Sequence, residues 1–322
     1  MKLLIITQIV DSDDPILGFF TRWIEEFAKN VEHVEVICLK EGKHTLPENV
    51  RVHSLGKERG VSRATYIFNF YKYIWKFRHD YDAVFVHMNP VYVILGGFFW
   101  RSWHKRISLW YTHKHVDSKL EIAVMLSNTI FTASKKSFRL ESSKVHVMGH
   151  GIDTDFFSPD PNLSRGTAVL SAGRLSRTKR HDLVIRAAEY FPNEVRIAGG
   201  GPERELLEAL AEHLSIAPRV HFLGPQTQVQ LREEYRTAGV FVHVSETGSL
   251  DKVILESLAC GLPVITTNAD FSDFPVTVVS ATPEAIAEKV VTLRKDDTGV
   301  LAGYVQKHHS LQRLIPALLH TI

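Results

Sequence analysis

Arg174 and Lys179 stand five residues apart in the run Ala168-Val169-Leu170-Ser171-Ala172-Gly173-Arg174-Leu175-Ser176-Arg177-Thr178-Lys179-Arg180-His181-Asp182. An apolar strand ends at Gly173, a cation-rich loop follows, and an amphipathic helix then carries Leu183, Ile185, Ala187 and Ala188. A guanidinium fork and a compact ammonium at that spacing can grip one diphosphate from two sides. A second constellation lies downstream. Phe241-Val242-His243-Val244 is β-prone, and Ser249 reads as the N-cap of a helix from Leu250 to Cys260, closed by Gly261 and stopped before Pro263. Free backbone N–H groups from Gly248 to Lys252, with the aligned peptide dipoles behind them, suit a phosphate group. Further along that helix, Glu256 sits among Val253, Ile254, Leu255 and Leu258. A carboxylate in so apolar a setting needs a partner, and a pair of ribose hydroxyls is a fitting one. The plainer reading has Ser249 capping a core helix and Glu256 facing water at its rim. Between the two constellations, Val195-Arg196-Ile197-Ala198 runs into Gly199, Gly200, Gly201 and Pro202. Those glycines either let a ligand approach the backbone or make a tight turn.

Taken in order, these motifs resemble the retaining glycosyltransferases of the GT-B fold, in particular the large family 4 (glycosyl transferases group 1). The resemblance rests on Gly149-His150-Gly151-Ile152-Asp153 with Phe156 and Phe157, Gly173-Arg174-Leu175 with Lys179, Gly200-Gly201-Pro202, Val220-His221-Phe222-Leu223-Gly224, and Glu256 with Cys260-Gly261-Leu262-Pro263-Val264-Ile265. It covers almost the whole chain and implies a nucleoside diphosphate sugar, a UDP- or GDP-sugar, as donor. It also implies base recognition largely by backbone around Val220 to Gly224, which brings Leu223 into the donor site. One departure stands out. The first glutamate of the family's pair, eight residues before Glu256, falls here on Gly248, and the family's Glu-Gly-Phe-Gly becomes Gly248-Ser249-Leu250-Asp251. In the family that carboxylate contacts the transferred sugar. Glu246 and Asp251 are the nearest substitutes; Asp251, inside the turn, is the expected one, and complementing the helix dipole is its alternative role.

The elements that must position these groups alternate strand and helix without repeats, the pattern of parallel sheets covered on both faces. The expected fold class is α/β, with two Rossmann-like parallel-sheet domains facing across a cleft. Strands are expected at Leu3 to Thr7, Val34 to Leu39, Ala83 to His87, Ile107 to Thr112, Asn128 to Thr132 and Val145 to Met148. After the first strand, Gly18 corresponds to the family's loop glycine, with a structural cap as its other reading. His87 and His113 fall at carboxyl ends of strands, where open α/β sheets bind ligands. His113, in Trp110-Tyr111-Thr112-His113-Lys114-His115, resembles the family's histidine beside the donor sugar and acceptor. Asp11-Ser12-Asp13 and Asp153-Thr154-Asp155 look like a metal-binding Asp-x-Asp, but one follows the first strand and the other lies inside the interdomain motif, so no metal site is expected. Pro, Asp, Asn, Ser and Gly cluster from Pro159 to Gly166, which places the boundary there. Residues 1–158, joined by a C-terminal helix at 304–322, form the acceptor-side domain, and 159–303 the nucleotide-sugar domain.

Composition bounds the rest. The chain has 322 residues, 44% hydrophobic and 23% charged, enough for two ordinary α/β domains. Residues 1–150 carry 21 Lys and Arg against 15 Asp and Glu, while the remainder carries 17 against 21, so the first half is the basic one. An anionic acceptor or an anionic membrane surface fits it. The stretch from Ser62 to Arg78, read as a helix, has a core stripe of Ile67, Phe70, Tyr71 and Ile74 and a second face of Phe68, Lys72, Trp75 and Lys76. With Phe98 to Arg106 it makes either a patch for lipid headgroups or a core helix with snorkelling lysines. The first residues read as a buried strand rather than a signal peptide, and no run approaches the roughly 20 apolar residues of a membrane span. Two cysteines, Cys38 and Cys260, leave no disulfide framework and suggest a cytoplasmic protein, peripheral at most to the inner face of the membrane. No nucleic-acid-binding module is recognisable. The expected catalytic set is His113, Asp251, Arg174 and Lys179; the donor site adds Gly18, Gly173, Gly200, Leu223, Gly248, Ser249, Leu250, Lys252 and Glu256. No cofactor is expected. The competing reading is an inactive homologue that binds a nucleotide sugar or lipid without transfer.

Overall fold

Continuous apolar runs such as Leu3-Leu4-Ile5-Ile6 become strands buried on both faces, as a parallel sheet flanked by helices requires. The computed structural model describes residues 1–245, 251–293 and 298–322. In chain order the first unit contains β1 (Lys2–Val10), α1 (Phe19–Asn30), β2 (His33–Glu41), β3 (Val50–Ser54), α2 (Arg63–Lys76), β4 (Ala83–His87), α3 (Pro90–Ser102), β5 (Arg106–Trp110), α4 (Ser118–Leu126), β6 (Thr129–Thr132) and β7 (Val145–Val147). Its seven-stranded sheet has the order β3-β2-β1-β4-β5-β6-β7, every pair parallel. The second unit contains β8 (Val169–Ala172), α5 (His181–Ala187), β9 (Val195–Ala198), α6 (Arg204–His213), β10 (Val220–Gly224), α7 (Gln228–Thr237), β11 (Val240–His243), α8 (Lys252–Ala259), β12 (Val264–Thr266), β13 (Thr277–Val278), α9 (Pro283–Thr292) and α10 (Thr298–His309). Its six strands, in the order β10-β9-β8-β11-β12-β13, are again parallel.

The chain ends in α11 (Leu311–Thr321), which belongs to the first unit. Its stripe of Leu311, Leu314, Ile315 and Leu318 is buried in one core with Phe20, Trp23 and Phe27 of α1. Each such aliphatic side chain contributes roughly 2 kcal/mol over leaving it exposed. Gly151 lies under this contact: a Cβ there would stand 2.6 Å from the Trp23 ring and 2.7 Å from Leu314, and its carbonyl accepts a hydrogen bond from Trp23 Nε1 at 3.1 Å. The glycine of the interdomain motif therefore serves close packing.

The units divide at Gly151/Ile152 and at Ser310/Leu311, not at 158/159, beside the turn-forming residues, and 303/304, where the last helix was expected to begin. The reason is burial. Ile152 and Phe157 pack into the second unit's core beside Tyr235 and Phe241, and Val305 joins them from α10. Ile152 also bridges Ser310 in parallel and donates its N–H to the His309 carbonyl at 2.8 Å, so both crossings leave the second unit side by side.

Two further expectations change. The edge strand β3, Val50-Arg51-Val52-His53-Ser54, was not foreseen, because its alternating polar residues hide it. On α2, Phe70 and Ile74 are buried as expected, but Ile67 is 46% exposed and joins Phe68 and Trp75 on the outer face. Among the described residues no helix is long and apolar enough to cross a membrane.

Candidate active site

In the second sheet the strand order reverses between β8 and β11, whose onward connections run to opposite sides. The carboxyl ends of such a pair open a crevice in which doubly wound sheets bind ligands. Gly173 follows β8 there and His243 ends β11. Three loops are laced together beside them. Gly173 donates its N–H to the Ala198 carbonyl at 2.9 Å, Gly199 to Gly224 at 2.8 Å, and Leu175 to Gly200 at 3.0 Å. Gly199 has φ 145°, and a Cβ on it would lie 1.9 Å from the Gly173 carbonyl oxygen; on Gly201 it would lie 2.2 Å from that of Leu175. Loop-to-loop contact thus requires these two glycines, a different reason from the approach of a ligand. Gly200 is less constrained, its nearest obstacle being Pro225 Cγ at 3.0 Å.

Arg174 projects from this loop, exposed, and its side chain makes no hydrogen bond or ion pair among the described residues; its carbonyl accepts from Ser176 Oγ at 3.5 Å. Lys179 behaves differently. Its ammonium is paired with Asp251 Oδ2, the same oxygen that His243 Nε2 approaches at 2.8 Å. Burial alone would raise the Asp251 carboxyl, but the hydrogen bond and charge of His243, with the Lys179 ammonium, hold it well below the usual carboxylate range. Asp251 was expected to stand in for the family's sugar-contacting glutamate; the structure commits it to a lysine and a histidine of its own unit. It also occupies the N-cap position of α8, so the helix begins at Lys252 and ends at Ala259, shorter than the Leu250 to Cys260 expected from Ser249 as cap. Gly248, Ser249 and Leu250 lie outside the described residues.

Glu256, one turn into α8, is only 6% exposed, which corrects the reading that places it in water at the rim. Tyr235 Oη donates to its Oε2 at 3.5 Å. Lys252 stands four residues earlier on the same helix; burial pushes its ammonium down, and the charge of Glu256 works against that. Leu223 sits near the end of β10, its carbonyl accepting from Gln226 Nε2 at 2.8 Å. A cavity of about 520 Å³ opens against the 176–182 segment and the start of α6, lined by Arg177, Arg180, His181 and Glu203 among others, but by neither Arg174 nor Lys179.

The remaining expected residues belong to the first unit. Gly18 is the N-cap of α1; a Cβ on it would meet the Asp14 carbonyl oxygen at 2.5 Å and that of Ser12 at 2.9 Å, so the turn itself demands glycine. His113 is exposed in the loop after β5, its Nδ1 accepting from the His115 N–H at 3.0 Å. His87 is a core residue, stacked on Phe20 at 3.9 Å. The structure therefore brings Lys179 to Asp251 and sets Lys252 beside Glu256.

Two residues at the centre of the second-unit cluster escaped sequence reasoning. His243 ends a strand whose neighbours are apolar, and His181 opens α5 with Nδ1 3.1 Å from Ser171 Oγ. Only the placement of both at carboxyl-end positions of a strand or loop hinted at them. Burial, then His243 and the Lys179 ammonium, push the His181 imidazole down to about 4, and burial followed by His308 does the same to His309. Both start from 6.5 in the unfolded chain, which therefore takes up protons first as the pH falls. Stability is complete above that value and declines as pH drops toward the folded-state value, by up to about 3 kcal/mol per histidine. The urea midpoint of the second unit is expected to fall steeply between pH 6.5 and 4, and His309→Phe, which keeps a ring against Phe274, to flatten the fall; a profile unchanged by that substitution contradicts the assignment.

Comparison with known proteins joins this geometry to a family. Residues 153–297 match the family model described as "Glycosyl transferases group 1", which takes in nearly all of the second unit. The match takes in less than half of the chain, and it is the second unit that resembles the glycosyl transferases group 1 family. A D-inositol 3-phosphate glycosyltransferase of Mycobacteroides abscessus is 35% identical to this chain over 140 residues, 39% of the chain and 32% of the relative. The match thus spans about a third of the curated relative's length. The Anabaena protein HepE, solved in complex with UDP and glucose, superposes with a TM-score of 0.76 at 16% identity, covering 100% of this chain and 99% of its own. WaaG, a glycosyltransferase involved in lipopolysaccharide biosynthesis, gives 0.71 at 16% identity over 98% of each chain. At these identities the likeness is one of fold: two parallel-sheet units of the GT-B kind, the α/β class expected from the sequence.

Proposed function

We propose that the protein is a retaining hexosyltransferase that moves a sugar from a nucleoside diphosphate sugar to an acceptor hydroxyl, in glycan or glycolipid synthesis of the cell envelope. The observation that carries this reading is the presence of Arg174 and Lys179 with the start of α8 at the switch point of the second sheet. The acceptor oxygen forms a bond to the anomeric carbon on the face the donor leaves, the bond from that carbon to the β-phosphate oxygen breaks, and the hydroxyl proton passes to the leaving diphosphate. Negative charge grows on the leaving nucleoside diphosphate, and cations and helix-terminal N–H groups held in advance stabilise it. Arg174 and Lys179 take that role, so no metal is required for it. Glu256 holds the ribose hydroxyls, and His113 serves the sugar and acceptor. The family-model match to the second unit, the relatives named for glycosyl transfer and the UDP and glucose held by the Anabaena protein support a UDP- or GDP-sugar as donor. Incubation with UDP- and GDP-sugars, reading released nucleotide and the anomer of the product, tests it.

A second reading is favoured by one observation. With glycine at position 248 and Asp251 committed to Lys179 and His243, the carboxylates expected at the sugar are displaced or absent at those two positions. A homologue that binds a nucleotide sugar without transfer would show such a change.

In this reading the acceptor is a lipid or glycan at an anionic membrane surface, with the protein peripheral to the cytoplasmic face. Phe68, Trp75 and Phe98 are 68%, 46% and 73% exposed, with Lys72, Lys76 and Arg101 exposed around them on α2 and α3. Aromatic rings in the headgroup region and cations on anionic lipid suit that surface. The protein is expected to float with vesicles containing anionic lipid at low salt and to stay behind with neutral ones; no flotation in either case removes the membrane from the account.

A further inference from the structure

We propose that His243 is a positioning residue that fixes the Lys179 ammonium for the donor's diphosphate, acting through Asp251. The inference rests on the donor-site reading above and assigns a residue that neither the motifs nor the family match singles out.

The geometry is a chain of contacts that starts on a strand. His243 ends β11, is 3% exposed, and is held among its neighbours with the Phe241 ring centroid 6.3 Å away. A carboxylate only accepts hydrogen bonds, so the His243 Nε2 that meets Asp251 Oδ2 at 2.8 Å carries its proton on that nitrogen. Among the described residues His243 Nδ1 makes no hydrogen bond, so the ring's hydrogen bonding there is directed to Asp251. The same Asp251 oxygen takes the ammonium of Lys179, which reaches it from the loop after β8, 72 residues away in sequence. A lysine side chain carries about 2 kcal/mol of rotamer entropy. Tying its tip to a carboxylate that is itself tied to a buried ring removes much of that freedom before any ligand arrives. One of three ammonium protons is spent on Asp251, and two remain for phosphate oxygens. Asp251 thereby changes role, from a stand-in for the sugar-contacting glutamate to the link between a strand and a phosphate ligand.

Binding of UDP, UMP, GDP and GMP by calorimetry, in the full chain, tests this on the contribution of the terminal phosphate. His243→Met is expected to weaken the preferred diphosphate about tenfold and its monophosphate less than about twofold, the signature of one charge-assisted contact misplaced. His243→Gln, which returns an N–H donor at similar reach, is expected to restore binding to within about threefold. Lys179→Met should show the same selective loss, and His243→Met should add nothing in its presence, since two residues acting through one contact are not additive. Equal weakening of di- and monophosphate by His243→Met, full activity of that variant toward the diphosphate, or additive losses in the double variant would overturn the positioning role. Undiminished diphosphate binding by Lys179→Met would overturn the donor-site reading itself, and this proposal with it.

Discussion

Lys179→Ala is expected to lower turnover of the donor by about a hundred- to a thousandfold, the usual cost of removing one preorganised charge from a developing anion. Folding should survive. Asp251 keeps its bond from His243, so the loss of its second partner costs no more than about 2 kcal/mol. Arg174→Ala separates the two effects further. That side chain is exposed and makes no hydrogen bond or ion pair among the described residues, so its removal should change stability by less than about 0.5 kcal/mol while still reducing turnover about a hundredfold. Steady-state rates beside melting temperatures check both. Near-normal turnover in the two variants would take the diphosphate away from this loop.

Gly199→Ala should produce the largest change in stability of any single methyl added to the second unit's loops. The new Cβ would stand 1.9 Å from the Gly173 carbonyl oxygen, a backbone atom that cannot swing aside, and φ 145° is strained for any L side chain. Relieving the contact means separating the loops after β8 and β9, which together hold Gly173 and Arg174 in place. A cost of about 3 kcal/mol or more is expected, with activity falling alongside. Gly200→Ala is the internal control, since its added methyl meets only Pro225 Cγ at 3.0 Å and should cost less than about 1 kcal/mol. Urea midpoints read the difference; equal midpoints for the two variants would show that the glycine run answers to something other than loop packing.

Much of the fold could be read from the chain because both sheets are parallel and covered on both sides, so their strands are short apolar runs with polar ends. Ala83 to His87 was placed to the residue for that reason. The half-polar β3 breaks the rule, and Ile152 with Phe157 shows why turn-forming residues misplace a boundary: chain direction is cheap to change, but buried side chains decide which core a segment joins. At the site, Arg174, Lys179 and Glu256 stand out because charged residues at fixed distances from glycines are rare in apolar surroundings. The pairing of Lys179 with Asp251 and His243 does not. A histidine inside Phe241-Val242-His243-Val244 looks like core, and nothing in the spacing joins a loop after β8 to the start of α8.

The measurement that bears most directly on the account is a screen of the purified protein against UDP-, GDP-, ADP- and dTDP-sugars, reading the ligand-induced melting shift together with released nucleotide. The account predicts that one UDP- or GDP-sugar raises the melting temperature and is slowly hydrolysed, and that Lys179→Ala loses both responses. Tight binding with no nucleotide released, even when envelope lipids are supplied as acceptor, would contradict the transferase and leave a protein that holds a nucleotide sugar without spending it.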